Sequence, residues 1–198
     1  MKKSKFDFLD RLFHWTRVGL ILFLTLTGFQ IHSARFNVFG AMGTARTIHF
    51  FAAWLFVFFG IWHLYRFFVT GIYKTTLPNP FQRQRQKNFF QAIAYYLFLT
   101  ETRPPLDGVK RFNELQKLTY FMVLAFAFVQ IVLGFMLYWP VTFAWFNVLL
   151  GGLVWIRYWH YFLSWIFLFF LAIHIYLVFY EGTRLAKEML GVEEKNGN

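Results

Sequence analysis

Apolar residues run almost unbroken through four stretches of the chain, 15–31, 48–68, 118–140 and 158–180, and charge, proline and glycine collect between them. A helix crosses a hydrocarbon core of about 30 Å with roughly 17 to 25 residues. Lipid offers no hydrogen bonds to a peptide group, so a helix is the form such a stretch adopts there. Two shorter apolar runs, 89–99 and 143–156, cannot span and predict interfacial segments; the second is interrupted by Gly151 and Gly152. Pro78, Pro80, Pro104 and Pro105 punctuate the long connection at about 70–117. The pattern predicts an all-α integral membrane four-helix bundle, one domain over residues 1–198, without the internal repeat of an inverted-repeat transporter. The first apolar run is longer than a signal-peptide core and no small-residue cleavage site follows Phe29, so it is expected to stay as a helix.

Composition agrees with lipid as the solvent: 58% of the residues are apolar and 30 are Phe. The formal charge of +11 could suit a nucleic-acid partner, but the basic residues follow the loops. Lys2, Lys3, Lys5, Arg11 and Arg17 precede or open the first span. Arg66, Lys74, Arg83, Arg85, Lys87, Arg103, Lys110, Arg111 and Lys117 lie between the second and third, and Arg184, Lys187 and Lys195 follow the fourth. Only Arg35, Arg46 and Arg157 fall on the other side. By the positive-inside bias both termini are expected in the cytoplasm, with membrane lipid and no nucleic acid as partner. Trp139, Trp145, Trp155 and Trp159 fit an aromatic belt at the outer surface. Cysteine is absent, which excludes thiolate-held iron–sulfur clusters, covalent c-type haem, disulfides and Cys-based zinc sites.

Any redox metal must therefore sit on histidine. His14, His49, His63, His160 and His174 fall in or at the ends of the spans, where an ionisable side chain is costly and marks function; His32 is expected in a loop. His49 and His63 are fourteen residues apart, as are His160 and His174. Fourteen residues make about 3.9 helical turns and about 21 Å of rise, so each helix presents two imidazoles on one stripe, one near each membrane surface. Ligands so far apart cannot share one zinc or copper ion. Imidazoles facing each other from two helices would fill both axial positions of a haem iron, leaving a centre that moves electrons and does no bond chemistry. Two such centres would give a path across the bilayer. His49 and His160 lie at matching outer depth, and His174 lies inside with either His14 or His63 opposite. Gly19, Gly28, Gly60 and Gly134 could make room for a macrocycle, although glycine also serves ordinary helix contacts. Arg46 and Arg157, each three residues before a histidine, could meet propionates or simply anchor helix ends.

The chain resembles the di-haem cytochrome b subunits of membrane-bound nickel–iron hydrogenases and formate dehydrogenases, with bacterial cytochrome b561 and thiosulfate-reductase-type relatives. The matching text is Arg11-Leu12-Phe13-His14-Trp15, Leu26-Thr27-Gly28-Phe29, Arg46-Thr47-Ile48-His49, and His160 with His174 followed by Ile175-Tyr176. The resemblance implies two b-type haems, an outer one on His49 and His160 and an inner one on His14 and His174. His63 departs from that pattern. The resemblance also implies a quinone site at an Asn-x-x-Gln-Lys element, matched here by Asn113 and Gln116 before Lys117, with His174 as a further contact. The same spacing makes a helix capping box, and both roles can coexist.

These features lead to the expectation of a subunit passing electrons between a periplasmic-side redox enzyme or cytochrome subunit and the quinone pool. A free-standing cytochrome b561-like quinone oxidoreductase is the rival within redox chemistry. A haemless membrane anchor or transporter, whose histidines relay protons or hold helices together, is the rival outside it.

Overall fold

The computed structural model describes residues 7–77, 81–105 and 112–192. Lys2, Lys3, Lys5, Pro78, Pro80, Lys110, Arg111 and Lys195 lie outside the described residues. Every regular element among those described is helical: α1 (Phe8–His32), α2 (Met42–Val69), α3 (Tyr73–Thr76), α4 (Arg83–Tyr96), α5 (Glu114–Tyr138), α6 (Ala144–Leu149), α7 (Leu153–Tyr180) and α8 (Arg184–Leu190). Four of them, α1, α2, α5 and α7, are long and apolar enough to cross a membrane, at 25, 28, 25 and 28 residues. Large apolar side chains stay uncovered along them, as at Phe58, Phe128 and Phe169, which suits surfaces solvated by lipid tails.

Each spanning helix starts before its apolar run does. The first begins at Phe8 because Asp7 caps it: the Asp7 carboxylate accepts from the Asp10 N–H at 2.6 Å, and the Asp10 carboxylate accepts from the Asp7 N–H. His14 therefore sits almost two turns inside the helix rather than at its tip. The other end of α1 reaches His32, so this histidine closes a helix instead of lying in a loop, and its ring stacks on Tyr161 at 3.7 Å between centroids. The segment 143–156 is likewise not one interfacial unit. It divides into α6, a turn, and the first residues of α7, where Ile156 is fully buried. Gly151 and Gly152 make the break with φ of 86° and 93°. A Cβ on Gly151 would lie 2.8 Å from Trp155 Cδ1, so the turn needs glycine for space as well as for φ.

The chain divides into two compact units, Met1–His63 with Ile131–Asn198, and Leu64–Gln130. In the first, neighbouring helices make a closed circuit. α1 meets α2 at Phe13 and Phe59, α2 meets α5 at Phe50 and Tyr138 and at Trp54 and Phe135, and α1 meets α7 where Phe29 packs on Tyr161 and Trp165. The glycine contact of α5 with α7, described below, completes it. Two buried amides pin the connecting loops. Gln30 accepts from the N–H groups of Val38 and Phe39 and donates to the Gly40 carbonyl, and Asn147 donates to the Pro140 carbonyl. At the other end of the unit the Trp15 indole donates to the Met189 carbonyl at 3.0 Å, tying α8 to the start of α1.

The second unit holds the remainder of α2, α3, α4 and most of α5. Helix α4 starts at Arg83, earlier than the apolar run 89–99 implies, and ends at Tyr96. Helix α5 opens on a complete capping box: Asn113 Oδ1 accepts from the Gln116 N–H at 2.9 Å, and Gln116 Oε1 accepts from the Asn113 N–H at 3.0 Å. Lys117 does not behave as a loop cation. It lies in the first turn of α5 with no solvent exposure, its ammonium donating to Glu114 at 2.5 Å, and Arg85 lies 3.9 Å from the same carboxylate. Removing one partner of a buried ion pair strands the other charge, at about 3 to 5 kcal/mol. Glu114→Ala is therefore expected to lower the thermal midpoint in detergent sharply, and the double variant Glu114→Ala/Lys117→Met to recover most of the loss; equal midpoints for the two variants would contradict this account.

Candidate functional site

The helices hold four of the histidines in two pairs, both within the first unit. His49 lies seven residues past the first residue of α2, and His160 seven past the first residue of α7. Their ring centroids are 6.3 Å apart with planes at 72°. His14 lies six residues past the first residue of α1, and His174 six before the last of α7. Those centroids are also 6.3 Å apart, with planes at 52°. All four rings are half-buried. One helix supplies a member of each pair, and the fourteen residues from His160 to His174 set about 21 Å between them along α7.

The His49 ring leans on α1. Its Nδ1 is 2.9 Å from Thr27 Oγ1, and a Cβ on Gly28 would lie 3.5 Å from its Cε1. His160 leans in the same way on α5, where a Cβ on Gly134 would lie 3.3 Å from its Cε1. Two of the four candidate glycines thus lie under histidines. A Cβ on Gly19 or Gly60 would meet nothing within 4 Å. Thr27 was present in the motif text but not singled out; its signal was a hydroxyl on an apolar helix beside a glycine, which alone is common. His63 is half-buried on α2, and the ring brought beside His174 is that of His14. Arg46 and Arg157 are exposed, one turn before His49 and His160. In the second unit Asn113 and Gln116 carry the capping box, and the Asn113 amide also donates to the Tyr96 hydroxyl at 3.2 Å.

A family model described as prokaryotic cytochrome b561 matches residues 5–191. The chain belongs to this family. No curated protein and no solved structure matches the chain. As a prokaryotic cytochrome b561 it is a multi-pass bacterial membrane protein that binds b-type haem and transfers electrons across the membrane. The residues present fit that group. An imidazole nitrogen binds a metal at about 2.0 to 2.1 Å and lies about 1.1 Å from its ring centre, so two rings facing across one iron have centroids about 6.3 Å apart. Both pairs of the cytochrome keep that separation. The rings of His49 and His160 lie against the backbone of a neighbouring helix at Gly28 and Gly134, and at 134 a Cβ would crowd the ring.

The two glycine contacts differ by enough to be tested. An alanine at 28 makes an ordinary contact with His49, whereas one at 134 presses on His160. Gly28→Ala is expected to keep full haem content and to gain about 0.5 to 1 kcal/mol from helix propensity. Gly134→Ala is expected to lower haem per chain, measured by pyridine haemochrome. Equal haem content in both variants would show that the His160 contact does not matter.

Proposed function

We propose that this cytochrome carries two bis-histidine b-type haems and serves as the membrane subunit of a respiratory oxidoreductase in the bacterial inner membrane, of the kind that partners nickel–iron hydrogenases or formate dehydrogenases. The observation that carries the proposal is the equal 6.3 Å separation of two histidine pairs that share α7. In this reading His49 and His160 hold the outer haem, and His14 and His174 the inner one. A b-type haem with two imidazole ligands supplies a one-electron iron couple with no open coordination position. The chain's own contribution is to hold the ligand rings in register, to space the centres along one helix, and to surround them with apolar side chains. Arg46 and Arg157 supply cations one turn from the outer ligands, suited to propionates. The bias of basic residues supports a cytoplasmic location for both termini.

The electron acceptor or donor on that side is proposed to be a membrane quinone contacted by Asn113 and Gln116, as the resemblance of the Asn-x-x-Gln-Lys element implies. The donor or acceptor on the outer side is proposed to be a catalytic redox subunit, as the resemblance to hydrogenase and formate dehydrogenase cytochrome subunits implies. The family description equally suits a free-standing quinone oxidoreductase. Co-purification of a stoichiometric metalloenzyme supports the subunit reading, and its absence from mildly solubilised native membranes supports the free-standing one.

A dithionite-reduced minus oxidised spectrum should give a b-type signal with two haems per chain; no such signal would overturn the proposal. His49→Ala and His160→Ala should each remove the same haem, and His14→Ala and His174→Ala the other. If His14→Ala leaves both while His63→Ala removes one, the inner ligand is His63. Gln116→Ala should weaken binding of a quinone-site inhibitor while both haem spectra persist, and unchanged binding would leave Asn113 and Gln116 with the capping role alone.

A further inference from the structure

Thr27 is fully buried on α1, and three oxygen or nitrogen atoms lie within hydrogen-bond reach of its hydroxyl. The Phe23 carbonyl is 2.7 Å away, the Leu24 carbonyl 3.2 Å, and His49 Nδ1 2.9 Å. A hydroxyl has a single hydrogen and two acceptor lone pairs. Carbonyls only accept, and the shortest of the three contacts is to the carbonyl one turn back, the usual back-bond of a helical threonine. With its hydrogen held there, the hydroxyl turns a lone pair towards His49. Nδ1 must then bring the hydrogen. A neutral imidazole carries one N–H, so Nε2 is left bare.

We infer that Thr27 is a positioning residue of the outer centre: alongside the Leu24 backbone, with which His49 also hydrogen-bonds, it accepts from His49 Nδ1–H, favours the tautomer that presents Nε2 to iron and lowers the reduction potential of that centre. The inference rests on the proposed ligation of the outer haem by His49. The ring edge carrying Nδ1 and Cε1 lies against α1 at Thr27 and the next residue, Gly28, so the hydroxyl meets the ring on its Nδ1 side. An acceptor on the distal N–H makes a metal-bound imidazole more basic. A more basic ligand favours ferric over ferrous iron, which moves the couple downward. On the opposite side the residue before Gly134 is Leu133, which has no hydroxyl, so the two ligands of the outer centre stand on chemically different supports.

The test is a potentiometric titration of the full-length holoprotein, followed in the b-type difference spectrum, with the outer haem identified as the one lost in His49→Ala. Thr27→Val keeps the shape of the side chain and removes the acceptor. It should retain both haems and raise the outer midpoint by the equivalent of about a tenfold change in ferric-over-ferrous preference, about 59 mV for one electron, with the inner midpoint unmoved. Thr27→Ser keeps the hydroxyl and should titrate as the unmodified protein does. If valine crowds the ring and the outer haem is lost, Thr27→Ala removes the hydroxyl without that bulk and should show the same rise. An unmoved outer midpoint in whichever of these two variants retains the haem overturns the inference while leaving the ligand assignment intact. A serine variant shifted as far as the valine or alanine one also overturns it, because packing would then set the potential. Retention of both haems in His49→Ala is the separate result that removes the ligand assignment itself.

Discussion

An imidazole inside a bilayer must find a polar partner or be expelled, because nothing in the hydrocarbon region can solvate it. Six histidines placed on helices otherwise built from Phe, Leu, Ile and Trp impose that requirement on the first unit. Four of them are brought together as two ring pairs, and His49 and His160 lean on neighbouring helices. The closed circuit of α1, α2, α5 and α7 follows from the same need, since the rings of His49 and His160 each rest on a helix other than their own. At position 134 the absence of a Cβ is what leaves room for the His160 ring, whereas at 28 an added Cβ would make only an ordinary contact with His49.

The second unit meets an equivalent requirement differently. Glu114 and Lys117 form a buried ion pair at the start of α5, next to the capping box of Asn113 and Gln116, and half-buried Arg85 of α4 lies 3.9 Å from the same carboxylate. A short, dense cluster of polar groups at a helix N-terminus costs less than the same groups dispersed, because each satisfies another and the carboxylate lies at the positive end of the helix dipole. That Asn113 and Gln116 cap the helix leaves the quinone role as an addition to a structural one.

The four spans were legible in the sequence because lipid imposes a simple rule on long apolar runs. Their starts were not, since these depend on polar residues that hydropathy passes over: Asp7 and Asp10 extend α1, and Asn113 opens α5 ahead of its apolar run. The histidine spacing of fourteen could be read as two rings on one face. Which helix meets which could not, because ring contacts such as that of His14 with His174 arise from packing, and the start of α1 at Phe8 sets His14 almost two turns inside the helix. Lys117 was read as one more cation of a basic loop, because burial against Glu114 is a tertiary fact. Thr27 escaped for a related reason: twenty-two residues separate it from His49, and no local pattern joins them.

One consequence concerns biogenesis. His160 and His174 both lie on α7, the last of the four spans, so neither ring pair exists until nearly the whole chain has been synthesised and its final helix inserted. A nascent chain holding α1 and α2 has His14 and His49 but neither of the α7 rings that they meet in the folded protein. Under the proposed ligation, cofactor loading is then tied to completion of the polypeptide, and a prematurely terminated product lacks both proposed centres at once rather than one of them.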